Sequence, residues 1–198
     1  MPGSASNARN LWRSTNFMRW FVFFLVAILG TAGDLITKHL TATITPTDII
    51  SGVLRFKPVL NKGIIWGLFQ QGSVLFLIIP ALAVPLIILM FKYINLFSGE
   101  KNQDDSASEP SPKLNILLAV AFGLILAGAL GNLYDRIAYK AVRDFIDFYM
   151  INWPIFNLAD TYITIGAILI IISLFIPKRN PAGIEPEHTA QAINNSQE

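Results

Sequence analysis

Four apolar runs long enough to cross a bilayer divide this 198-residue chain, at 20–36, 74–94, 114–133 and 159–176. A helix rises 1.5 Å per residue, so roughly 20 mostly apolar residues span the hydrocarbon layer. The charged fraction points the same way. It is 14%, against about 25% in an ordinary soluble domain, and the mean hydropathy is +0.51. The expected fold is therefore an all-α membrane protein with four transmembrane helices. Pro80 and Pro85 fall inside the second run and are tolerated there, because neighbouring membrane helices re-satisfy the freed carbonyls. The first run has Arg13 and Arg19 before it and Thr31-Ala32-Gly33 near its end. Its core is nevertheless too long for a cleaved leader, and it is read as a retained helix.

The remaining segments are polar. Residues 1–16 are expected to be disordered, 17–176 to form one membrane domain and 177–198 to be a polar tail. Residues 96–113 read as a flexible linker. Between the first two spans, residues 41–73 are too polar to cross and too apolar for a simple loop. Leu54 and Phe56 alternate with Arg55 and Lys57, a strand pattern, and Asn61-Lys62-Gly63 is a turn signal followed by the apolar 64–69. A small extracytoplasmic sheet lying on the membrane fits this composition. Lys and Arg counts on the two sides of four alternating spans are nearly equal. The first helix therefore decides orientation, and its N-terminal flank carries Arg9, Arg13 and Arg19 and no acid. Both termini are placed inside.

Polar residues are not spread evenly over this frame. Asp34 and Lys38 stand four apart at the end of the first span, with the acid N-terminal, the favourable order on a helix; an interfacial ion pair is the simplest reading. Asn132, Asp135 and Arg136 follow at i, i+3 and i+4 at the end of the third, and Asn157 and Asp160 open the fourth, where the helix dipole favours an acid. Four alternating spans bring these residues, with Asn61 and Asp144, to one membrane face. Ionisable groups beside hydrocarbon are costly and usually line a site or a water-filled cavity. Asp144 and Asp160 are the candidate catalytic pair, and Asp147 is read as solvated.

With no cysteine, thiol nucleophiles, disulfides and zinc–thiolate sites are excluded. His39 and His188 are far apart in sequence, so no histidine metal site is expected, and no basic stripe suggests nucleic acid.

Five blocks, in order, resemble those of the lipoprotein signal peptidases, the bacterial type II signal peptidases. They are Asp34-Leu35-Ile36-Thr37-Lys38, Asn61-Lys62-Gly63, Gly128-Ala129-Leu130-Gly131-Asn132-Leu133-Tyr134-Asp135-Arg136, Val142-Arg143-Asp144-Phe145 and Phe156-Asn157-Leu158-Ala159-Asp160. Ile64, Ile65 and Trp66 depart from it, standing where the family usually carries smaller residues and a Phe. The resemblance implies an aspartyl endopeptidase that cuts diacylglyceryl-modified prolipoproteins just before the lipidated cysteine. It implies catalysis by Asp144 and Asp160 without metal or other cofactor. Asn61, Gly63, Asn132, Arg136 and Asn157 would hold substrate or dyad, and Asp34, Lys38 and Asp135 would support the cavity. Asp135 would pair with a cation such as Arg136 or Lys38. The enzyme would sit as a monomer in the inner membrane among lipid, its site near the outer face.

Two other readings compete with this one. A serine–lysine peptidase could draw on Ser51 or Ser73 with Lys57 or Lys62, but no apolar motif surrounds those serines. A small ion- or proton-coupled transporter with intramembrane carboxylates would place charge at the midplane between repeats, whereas here it gathers at one face.

Overall fold

The computed structural model describes residues 3–63, 75–97 and 112–176. The apolar stretch 64–69, most of the 96–113 linker, Ser73 and the 177–198 tail lie outside them. The chain runs α1 (Gly3–Thr41), β1 (Thr47–Ile50), β2 (Leu54–Asn61), α2 (Leu75–Phe97), α3 (Pro112–Tyr139), β3 (Val142–Asp147), a 3-10 turn (Tyr149–Ile151) and α4 (Leu158–Leu174).

Among the described residues, Asn16–Thr41, Leu77–Ile94 and Lys113–Tyr139 are long and apolar enough to cross a membrane. The seventeen residues of α4 give roughly 25 Å of helix, at the short end of the spanning range. The helix α1 starts at Gly3, so helix covers most of the segment expected to be disordered. Residues 4–29 contain neither Gly nor Pro, and Ala5, Ala8 and Leu11 favour helix, so nothing stops the membrane helix from continuing upstream. The helix α2 runs through Pro80 and Pro85 without interruption.

The central helix is α3, which packs against the other three. At one end of the bundle the contact is aromatic: Phe23 stacks on Phe91 at 4.3 Å between ring centroids, and Trp20 meets Phe91 edge-on at 4.9 Å. Phe122 and Leu126 complete that buried cluster. Towards the other end, small residues replace aromatics. A Cβ on Gly128 would run into the Ala159 carbonyl of α4, and one on Gly131 into the Asp34 carboxylate of α1. Close approach recurs along α3, where a Cβ on Gly123 would meet the Phe23 carbonyl at 2.8 Å, and it extends to the end that carries the polar residues.

There the three strands form one antiparallel sheet in the order β1-β2-β3. The hairpin β1–β2 lies within the expected 41–73 segment; β3 was not anticipated there. Its sequence, VRDFID, buries both Asp144 and Asp147, so apolar and polar residues do not alternate and the period-two signal is lost. The register of β2 against β3 shifts between Phe56 and Val59, around Pro58, which has no N–H to give the ladder.

Candidate active site

Backbone pairing, before any side chain, brings the two candidate aspartates together. Phe156 forms a bridge with Ile146: its N–H donates to the Ile146 carbonyl at 3.1 Å and its own carbonyl accepts Ile146 N–H at 2.8 Å. Asp144 lies two residues before this bridge and Asp160 four residues after it. The segment then turns into α4 through a capping box. Asp160 N–H donates to Asn157 Oδ1 at 3.1 Å, and Asn157 N–H donates to Asp160 Oδ2 at 3.3 Å. A further N-terminal amide of α4 without a partner in the helix, Ala159 N–H, is met by a carboxylate and donates to Asp34 Oδ1 at 2.9 Å.

Asp144 and Asp160 both line a cavity of about 350 Å³. Asn61, Gly63, Asn132, Arg136, Val142 and the run 153–156 form the rest of its wall. Three asparagines feed the carboxylates. Asn61 Nδ2 donates to Asp144 Oδ2 at 2.9 Å and Asn157 Nδ2 to Asp144 Oδ1 at 2.6 Å. Asn132 Nδ2 donates to Asp160 Oδ1 at 2.8 Å. Asn61 reaches Asp144 because its strand neighbour Val59 pairs with Asp144, which sets Asn61 diagonally across on the same face of the sheet. Burial pushes the Asp144 carboxyl up to about 6, the Asp160 charge adding to it while the asparagine donors and Lys38 oppose it. Asp144 is 3% exposed; Asp160 is half-buried.

Behind this pair lies a second, fully buried charge cluster. Lys38 is bonded to Asp34 at 2.7 Å and to Asp135 at 3.3 Å, with all three side chains at 0% exposure. An interfacial pair would be wet, so that reading of Asp34 and Lys38 is corrected. Asp135 also takes Arg143, through Nη2 at 2.7 Å and Nε at 3.1 Å, as well as the Arg143 backbone N–H at 2.9 Å. Its second cation is therefore Arg143, with Arg136 turned elsewhere. Successive helical residues point about 100° apart, so Asp135 and Arg136 diverge. Arg136 donates to the Asn132 carbonyl at 3.2 Å and borders the cavity. Asp147 is not solvated: it is 5% exposed and accepts from Arg55 Nε at 2.7 Å.

Every residue named from sequence as site or support is thus found at one end of the bundle. Arg143 and the apolar wall 153–156 were missed; the Trp153-Pro154 pair was the visible signal for the latter. Ser51 sits in the exposed β1–β2 turn, away from the cavity. Among the described residues no group of three or more His, Asp or Glu side chains is arranged to hold a metal ion.

Comparison with known proteins agrees in extent as well as kind. Residues 26–176 match the family described as Signal peptidase (SPase) II. A lipoprotein signal peptidase of Gloeothece citriformis is 37% identical over 81% of this chain and 91% of its own length. One of Aquifex aeolicus is 34% identical over 82% and 92%. A solved structure described as a bacterial membrane enzyme superposes with a TM-score of 0.61 at 31% identity, covering 82% of this chain and 93% of that one. With a family match over most of its length and relatives of this identity and coverage, the chain belongs to the signal peptidase II family and is a membrane peptidase.

Proposed function

We propose that this peptidase is an aspartyl endopeptidase that removes signal peptides from diacylglyceryl-modified prolipoproteins, cutting immediately before the lipidated cysteine, with Asp144 and Asp160 as the catalytic pair. One observation carries the reading: both carboxylates line a single cavity, and all four of their oxygens accept amide N–H groups. Two carboxylates sharing a site cannot easily both ionise, so Asp144 keeps its proton to a higher pH than a lone carboxyl would. The ionised member takes a proton from a water, which attacks the scissile carbonyl carbon; the protonated member donates to the carbonyl oxygen. No metal or organic cofactor enters this scheme. Arg136 and Gly63 border the cavity where a peptide backbone would run, and the wall 153–156 offers apolar surface to side chains beside the cut.

Both termini are placed on the cytoplasmic side of the inner membrane, with the dyad near the outer face and the enzyme acting as a monomer among lipid. The exposed apolar residues of α1, α2 and α4, such as Leu29, Leu86 and Ile171, fit a lipid-facing perimeter.

The test is cleavage of a lipid-modified prolipoprotein by purified wild type, Asp144→Asn and Asp160→Asn, read as a gel shift. Each substitution is expected to lower the rate by about 10²–10⁴-fold or more while the protein stays folded. If both variants cut at the wild-type rate, the dyad assignment is wrong. Transport rather than proteolysis would be the reading to test if wild type itself leaves the substrate whole.

A further inference from the structure

Each asparagine beside the dyad has its carbonyl oxygen occupied by a group that can only donate. Asn61 Oδ1 accepts Gly63 N–H at 3.0 Å, Asn157 Oδ1 accepts Asp160 N–H at 3.1 Å, and Asn132 Oδ1 accepts Lys38 Nζ at 2.9 Å. An amide whose oxygen is committed to a donor has its NH₂ end committed too. All three NH₂ groups consequently face the carboxylates of Asp144 or Asp160. The Asn61 and Asn157 oxygens are locked by backbone N–H groups; the Asn132 oxygen is locked by side chains, Lys38 at 2.9 Å and, more loosely, Asn157 Nδ2 at 3.3 Å.

We propose that Lys38 is a positioning residue for peptide cleavage: its buried ammonium fixes the Asn132 amide so that NH₂, and not C=O, faces Asp160. This rests on the aspartyl reading above. A lysine that merely neutralised two acids would leave Asn132 out. Asp135 is already served by Arg143, and Asp34 by Ala159 N–H. The ammonium is held by ion pairs to Asp34 and Asp135 on one side and by its hydrogen bond to Asn132 Oδ1 on the other, which ties it to the amide.

The charges around Asp160 are Arg136 from α3, Asp144 from β3, and Lys38 with Asp34 from α1, with Asp135 and Arg143 behind them. Without Lys38 the Asn132 oxygen keeps only the longer bond from Asn157 Nδ2 at 3.3 Å, the amide is held less firmly, and a carbonyl oxygen turned towards a carboxylate opposes the ionised form that a base requires. Cleavage would then fall off at a higher pH on the acid side.

Removing Lys38 alone strands buried carboxylates; the charge-balanced variant is Asp34→Asn with Lys38→Met. Its folding is followed by thermal melting in detergent, and its cleavage of a lipid-modified prolipoprotein is measured across pH. The expected result is a kcat at least ~10-fold lower, KM within about 3-fold, and an acid limb about one pH unit higher. In an Asn132→Ala background the same pair should add no more than ~2-fold. Asn132→Asp keeps the acceptor for Lys38 and presents oxygen to Asp160, so it should move the acid limb in the same direction even if the paired variant does not fold. An unmoved limb in Asn132→Asp, a uniform loss at every pH in the paired variant, or an undiminished effect in the Asn132→Ala background would overturn the proposal. Failure of the aspartyl reading is separate, since Asp144→Asn and Asp160→Asn would then still cut.

Discussion

Gly128→Ala should damage activity far more than its single methyl suggests. Two effects oppose each other. Alanine in place of glycine within a helix is favourable by up to about 1 kcal/mol. Against this, the new Cβ would meet the Ala159 carbonyl and, at 2.7 Å, Ile163 Cγ1. Relief requires α3 and α4 to separate by roughly 1 Å, and overpacking of this kind costs about 1–3 kcal/mol. Set against each other, the two leave a net loss of up to about 2 kcal/mol. Asn132 sits one turn beyond Gly128 on α3 and Asp160 directly follows Ala159 on α4, joined at 2.8 Å; a comparable displacement stretches the bond past useful length. Misplacement on this scale costs about 10²-fold in rate. Gly33→Ala is the control, because its Cβ would lie 3.4 Å from the Tyr162 hydroxyl, an ordinary contact, and helix propensity should dominate. Thermal melting in detergent and initial cleavage rates would be compared for both. Equal activity for Gly128→Ala and wild type, with an unchanged melting temperature, would refute the claim that close approach at Gly128 sets the dyad geometry.

Two further outcomes follow from the same packing. Asp144 holds its proton more tightly when folded, to about 6 against an ordinary 3.8, so the folded state binds more protons between those values. Stability should then fall as pH rises from about 4 to 6, by up to 2–3 kcal/mol, and melting of Asp144→Asn should be flatter over that window. At the opposite end of the bundle, Phe91→Ala removes a buried ring stacked on Phe23. It should cost about 3–5 kcal/mol of stability while leaving kcat of the folded fraction within about 2-fold, because none of the cavity-lining residues belongs to that cluster; a selective loss of kcat would show that the two ends are coupled.

The bundle was legible because hydrocarbon imposes a length and composition on each span that few other folds share. The gathering of Asp34, Lys38, Asn132 and Asp160 on one face followed from alternation of the spans alone. Finer matters escaped for identifiable reasons. The strand β3 places two acids in its buried positions, which erases the alternation that marks strands. Asp147 looked solvated because its partner Arg55 is distant in sequence and joins it only through strand register. Asp135 and Arg136 looked like one cluster on a helical projection, yet one turns to Lys38 and Arg143 and the other to the cavity. The ends to which the asparagine amides turn depend on donors such as Gly63 N–H and Lys38, which pattern reading has no means to supply.

The bridge between Ile146 and Phe156 also divides this part of the chain into lengths that are fixed and a length that is free. From Asp144 to the bridge, and from the bridge to Asp160, an added residue would rotate a carboxylate away from the cavity. Between the two halves of the bridge, residues 147–155 make an excursion whose two ends are held together regardless of its size. That excursion carries Trp153, Pro154 and Ile155, which wall the cavity. Relatives of this fold can therefore lengthen, shorten or recompose it, and so remodel what the cavity admits, while the spacing of the two aspartates stays the same.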